Sequence, residues 1–204
     1  MKKIMFSDAY GLTEAVLSGR KTQTRRIASR FIPDAIQIGY DRLEIFNGKE
    51  LRCYKVDGSF IKYKLPYHVG EVIAVAQCYK DIVEHLAKKA YDVAEWMDDH
   101  NITKDMAGWL NKMFVKASLM IFKIRITNVR VERLQDISDE DCEKEGLRVF
   151  KDGFACFDDK KYIAKSNIFS TPREAYAALI DRISGKGTWA SNPWVFVYDF
   201  ELAN

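Results

Sequence analysis

Eight consecutive residues, Gly19-Arg20-Lys21-Thr22-Gln23-Thr24-Arg25-Arg26, gather the side chains of this chain best suited to act on a ligand. A lysine is a compact point charge, and burial that strips its water lowers its pKa and turns it toward a base. Thr24, three residues on, supplies a hydroxyl that a neighbouring base can activate. Arg20, Arg25 and Arg26 carry forked donors that match phosphate oxygens and base edges. The segment therefore admits two chemistries, recognition of a phosphate or nucleobase and nucleophilic attack. Counting Arg30, five cations fall within eleven residues with no acid among them, the pattern of an electrostatic footprint.

The whole-chain balance does not carry that reading by itself. Lys and Arg number 32 and Asp and Glu 29, a net charge of +3, so the distribution of charge matters more than its sum. A second basic run, Lys123-x-Arg125 to Arg130-x-x-Arg133, lies on an expected strand. Cys53, Cys78, Cys142 and Cys156 are scattered, as are His68, His85 and His100. They show no metal-ligand spacing, so buried reduced thiols and no metal or other cofactor are expected. No run approaches the roughly 18 apolar residues of a membrane span, and the first residues lack the apolar core of a secretory signal. A cytoplasmic protein is the expectation.

The elements that must position the cluster are legible from turn and cap chemistry. Thr13 to Ser18 reads as a short helix stopped by Gly19, and the segment after Lys21 enters a strand. Asp41 to Lys64 is the clearest β signal: Asn47-Gly48 and Asp57-Gly58 supply the positive φ angles of tight hairpins between three extended runs. Val72 to Cys78 is a further strand. From Asp81 to about Phe114 apolar residues recur at helical spacing (Val83, Leu86, Ala87, Ala90, Tyr91, Ala94, Met97), and Thr103 is placed to cap a second helix. Trp96 and Trp109 are read as packing residues of this helical insertion, at about 80–117.

Phe122, Ile124 and Ile126 alternate with polar residues along a half-buried strand reaching about Glu132. Ser138 caps a short helix ended by Gly146, Asp152-Gly153 marks another hairpin, and Thr171-Pro172 opens a helix through Ile183. Trp194 to Phe200 closes the chain as an aromatic, β-branched strand. The common phosphate-loop, dinucleotide and serine-hydrolase motifs are absent. The fold class expected is α+β, a small mixed β-barrel with flanking helices and the helical insertion, in one domain over 1–204.

Leu17-Ser18-Gly19-Arg20-Lys21-Thr22-Gln23-Thr24-Arg25-Arg26 resembles the opening signature of the ASCH domain family, above all its phage and prophage branch. Three later stretches resemble that branch in order. They are Tyr67-His68-Val69-Gly70-Glu71, then Val129 to Ser138 running on to Glu145-Gly146, then Asn192-Pro193-Trp194-Val195. The resemblance spans Phe6 to Leu202, with 80–117 its weakest part. It implies a PUA-like barrel, a module that binds RNA. Some small bacterial members are amidohydrolases of N-acetylated cytidine, and ribonuclease activity occurs in the family. The positions matching the amidohydrolase motif are Lys21, Thr24 and Glu145. Thr24 would attack the amide, Lys21 accept its proton and Glu145 protonate the leaving amine. The chain departs from the branch at Ala76-Gln77-Cys78-Tyr79, where a charged Arg-Glu pair is usual and only the aromatic remains. It departs again at Phe114-Val115-Lys116-Ala117-Ser118, which lacks the usual Pro, Arg and Trp.

Three functions follow as expectations. The first is a module binding RNA or a modified nucleobase at a basic pocket around Lys21, with Arg20, Arg25 and Arg26 on the ligand and Tyr79 stacking a base. The second is a hydrolase using Lys21, Thr24 and Glu145 on an N-acylated nucleoside. The third is a prophage-encoded interaction or assembly protein without a small ligand.

Overall fold

The computed structural model describes residues 1–28, 40, 42–156 and 168–203, so Arg30 and Asp41 of the sequence reading lie outside the described residues. In chain order the strands are β1 Lys3–Ile4, β2 Gln23–Ile27, β3 Arg42–Phe46, β4 Glu50–Tyr54, β5 Phe60–Lys64, β6 Val72–Val75 and β7 Lys123–Arg133. They continue as β8 Arg148–Phe150, β9 Gly153–Ala155, β10 Ile168–Phe169 and β11 Trp194–Ala203. The helices are α1 Leu12–Leu17, α2 Tyr79–Lys88, α3 Val93–Asp99, α4 Asp139–Lys144, α5 Pro172–Ser184 and α6 Thr188–Ser191. The class is α+β, as the sequence leads one to expect. Among the described residues no strand order closes on itself into a barrel. No helix of the described residues is long and apolar enough to cross a membrane.

The chain divides into two compact units. The first takes Met1–Phe6 and Val72–Ile124 together with Ala203. In it β1 pairs in parallel with β6, Lys3 opposite Ala74 and Ile4 opposite Val75. Its core gathers Ala74, Tyr79, Ile82, Ile102, Val115 and Met120, and Trp96 and Trp109 pack against that core. The helical region differs from its expected form. Ala90 adopts a positive φ of 58° and ends the first helix, and Asp92, whose carboxylate accepts from the backbone N–H of Ala94 and Glu95, starts the next. With the cap moved forward to Asp92, Thr103 opens no helix, and 103–110 is a succession of turns.

The second unit takes Ser7–Glu71 and Arg125–Leu202. Its central strands run in the order β7-β11-β2, with β2 last and antiparallel to β11. Gln23 lies opposite Asp199, Thr24 opposite Tyr198 and Arg25 opposite Val197. Beside them stand two antiparallel three-stranded sheets. In β3-β4-β5 the turns are Asn47-Gly48 and Asp57-Gly58, whose positive φ angles at Asn47, Gly48 and Gly58 are the ones tight hairpins demand. The other sheet is β8-β9-β10. Helix α5 begins as expected, with Thr171 accepting from the Glu174 N–H and Glu174 reaching back to the Thr171 N–H. Helix α4 packs on α5 and on β2, which brings its C-terminal end to the cluster that starts at Gly19.

Candidate functional site

Backbone hydrogen bonds fix Lys21 before its side chain makes any contact. Gly19, in the left-handed region at φ 75°, turns the chain out of α1. The Lys21 N–H then donates to the Ala15 carbonyl at 2.8 Å and the Thr22 N–H to the Lys144 carbonyl at 3.0 Å. Lys21 is thus pinned between the ends of two helices. Its side chain is 2% exposed. The ammonium Nζ donates to the Glu145 carbonyl at 2.7 Å and to Glu145 Oε2 at 2.5 Å. Glu145 is the C-cap of α4, where free carbonyls favour a cation. Gly146 follows at φ 99°, and a Cβ there would stand 3.1 Å from the Lys21 Cβ and 3.2 Å from that of Ala15. Burial lowers the Lys21 pKa below the usual lysine value. The carboxylate of Glu145 pulls the other way, while the charges of Arg26 and Arg25 add to the lowering.

The second oxygen of Glu145, Oε1, accepts from Arg25 Nη1 at 3.1 Å. The same guanidinium donates from Nε and Nη2 to Glu132 Oε1 at 3.0 and 2.7 Å, and from Nη2 to Asp141 Oδ2 at 3.0 Å. Arg130 approaches the same acids from the other side, on Glu132 Oε2 at 3.0 Å and on Asp141 Oδ2, and reaches Asp199 Oδ2 at 3.1 Å. Gln23 closes the circuit, donating to Asp199 Oδ1 at 2.6 Å and accepting from Arg25 Nη1. Burial works against the charge of Arg25, and the charges of Glu145, Tyr176 and Glu132 outweigh it, so the arginine stays protonated. Burial would likewise raise the Asp141 pKa, but the Arg25 hydrogen bond and the charges of Arg130 and Arg25 hold it below the usual carboxylate value. The buried Tyr176 phenol, with Arg25 lying 6.0 Å from its ring centroid, is raised well above the usual tyrosine value, first by burial and then by Glu145.

Three cations (Lys21, Arg25, Arg130) thus meet four carboxylates (Glu132, Asp141, Glu145, Asp199). Lys21, around which the sequence leads one to expect a basic pocket, is thus buried against a carboxylate. The acids that hold Lys21 and Arg25 come from β7 and α4, more than a hundred residues further along the chain. The strand pleat sorts the remaining residues. Gln23 and Arg25 share one face of β2 and use it for this network, so Thr24 and Arg26 project from the other. There Thr24 is 4% exposed and lies opposite Tyr198, whose ring meets Tyr67 edge-on at 5.4 Å between centroids. Burial lowers the Arg26 pKa, with Tyr67, Glu145 and Tyr198 acting in the opposite sense, so Arg26 senses both faces. Among the described residues the Thr24 hydroxyl makes no hydrogen bond to Lys21 or Glu145.

No family model, curated protein or solved structure matches this chain.

Of the residues singled out in the sequence, Lys21, Arg25 and Glu145 come together directly, and Thr24 and Arg26 flank them. Arg20 donates to the Gly146 carbonyl at the edge of the same cluster. Tyr79 has a different setting. It belongs to the first unit, 6% exposed, with its ring in the core and so close to Gly108 that a Cβ there would lie 2.5 Å from it. A stacking surface is therefore not what this ring offers; the residue that looked like a base platform is a core aromatic. Arg130 enters the sequence reading only as part of the second basic run, and Glu132, Asp141 and Asp199 are not singled out there as site residues. The period-two alternation of β7 places Arg130 and Glu132 on one face, and that signal was available. Among the described residues no group of three or more His, Cys, Asp or Glu side chains is arranged to hold a metal ion.

Proposed function

We propose that this chain is an ASCH-type, PUA-like protein of the cytoplasm that hydrolyses the amide of a small, uncharged N-acylated nucleobase or nucleoside, with Lys21 and Glu145 as its proton-transfer pair. The observation that carries the reading is the buried Lys21–Glu145 contact at 2.5 Å. A buried ion pair is poor value as a stabiliser, because the cost of desolvation consumes most of its attraction, whereas buried groups with shifted proton affinity concentrate at working sites. The charge balance favours a neutral ligand over an RNA phosphate, since carboxylates already hold Lys21 and Arg25.

The pair shares one transferable proton. Burial lowers the proton affinity of Lys21, and in the working form its amine acts as a base. Thr24 Oγ1 attacks the carbonyl carbon and its proton passes to Lys21 Nζ. Glu145 then protonates the nitrogen as the C–N bond breaks, leaving an acyl ester on Thr24. Water adds to the ester and gives its proton to Glu145. Lys21 returns its proton to the departing Thr24 oxygen, so the pair ends as it began.

A second reading, binding without turnover, is favoured by one observation, the placement of Thr24 on the β2 face opposite Arg25. Acetate release from N-acetylated cytidine separates the two. The hydrolase reading expects wild type to turn over, with Thr24→Ala at least about a hundredfold slower, the scale of losing an activated nucleophile. Full activity in Thr24→Ala would remove it as the nucleophile. Binding of the same compound without acetate release by wild type would establish the second reading.

A further inference from the structure

The face of β3-β4-β5 that turns away from Leu51 and Cys53 carries planar groups in an unbroken row. Leu51 and Cys53 are fully buried, so the alternate residues of β4 (Glu50, Arg52 and Tyr54) define the opposite face. The register sets Tyr54 between Arg42 and Phe60, Arg52 between Glu44 and Lys62, and Glu50 between Phe46 and Lys64. Across these strands the Arg52 guanidinium carbon lies 3.2 Å from the Phe46 ring centroid and 4.9 Å from that of Phe60. Phe60 and Tyr54 are 5.1 Å apart between centroids, and Arg42 lies 4.4 Å over Tyr54. The sequence Phe46, Arg52, Phe60, Tyr54, Arg42 is a ladder of three rings and two guanidinium planes. Phe60 is 45% exposed, whereas the water-facing side of an antiparallel sheet is ordinarily polar.

We propose that this sheet face binds a single strand of nucleic acid, stacking unpaired bases on the ladder and holding phosphates with Lys62, Lys64 and Arg42. Bases stack on aromatic rings and on arginine planes alike, and only unpaired bases present free faces to them. The charge is complementary. Arg42, Arg52, Lys62 and Lys64 stand against Glu44 and Glu50, and both acids are occupied, Glu44 on Arg42 at 3.4 Å and Glu50 on Arg52 and Lys62 at 3.6 and 3.8 Å. None of these residues belongs to the Lys21–Glu145 network, so the surface stands whether or not amide hydrolysis occurs there.

Fluorescence anisotropy of the full chain with a labelled oligouridylate about a dozen nucleotides long tests it, a length within the span of known single-strand sites. The expected result is binding that weakens as salt rises. Phe60→Ala should lower affinity about tenfold, the loss of one stacked base. The exposed pair Lys62→Glu and Lys64→Glu, which leaves the packed side of the sheet untouched, should lower it further and flatten the salt dependence. Lys21→Met should bind as wild type does. The proposal is overturned if wild type does not bind or if a matching duplex binds as tightly. It also fails if affinity is lost in Lys21→Met and kept in the two sheet-face variants.

Discussion

At the scale of single residues, the centre divides into a part that holds and a part that can move a proton. Arg25 holds. Its side chain is fully buried and its donors reach Glu132, Asp141 and Glu145 at 2.7–3.1 Å. Removing one partner of a buried charge cluster leaves the others uncompensated, at a cost of about 3–5 kcal/mol. Arg25→Met should therefore lower unfolding free energy by about that amount in urea titration. Lys21→Met should cost much less, because Glu145 keeps its bond to Arg25. If the two variants prove equally stable, Arg25 is not the keystone of the cluster. Asp141 adds a pH dependence. Its folded pKa lies below its ordinary value near 3.8, so its contribution is complete above that value and is lost as pH falls through the folded one. Asp141→Asn should flatten the acid limb of stability below pH 3.8, and an unchanged limb would contradict the assignment.

At the scale of elements, the close approach of α4 to the turn after α1 makes the site. That approach depends on Gly146, which sits at φ 99° against the stem of Lys21. Gly146→Ala combines a strained backbone with a clash at 3.1 Å, and should lower the melting temperature at a cost of about 1–3 kcal/mol while displacing Glu145. A variant as stable as wild type would show that the two helix ends are free to separate. Local elements were legible because their determinants are local: the hairpins at Asn47-Gly48, Asp57-Gly58 and Asp152-Gly153, the Thr171 cap, and Gly19 and Gly146 as helix stops. The break at Ala90 was not, since alanine is the best helix former and the Asp92 cap competes with a continuous apolar period from Val83 to Met97.

At the scale of the whole molecule, what the sequence hid was the partner of each charge. Five cations in eleven residues look like an open basic surface only while Glu132, Asp141, Glu145 and Asp199 remain distant in the chain. Once β7 and α4 are in place, Lys21 and Arg25 are held among carboxylates. The same blindness made Tyr79 look like a stacking platform, because an aromatic after a strand gives no local sign of whether it faces a core. No spacing from Lys21 singles out Glu145, which entered the sequence reading only through the resemblance; in the structure the two side chains are 2.5 Å apart.

Acetate release from N-acetylated cytidine by wild type and by Lys21→Met decides whether the Lys21–Glu145 pair carries out the proposed amide hydrolysis. Turnover is expected in wild type and its loss in Lys21→Met, with the circular dichroism of the two proteins unchanged. Turnover that survives in a folded Lys21→Met protein would contradict it.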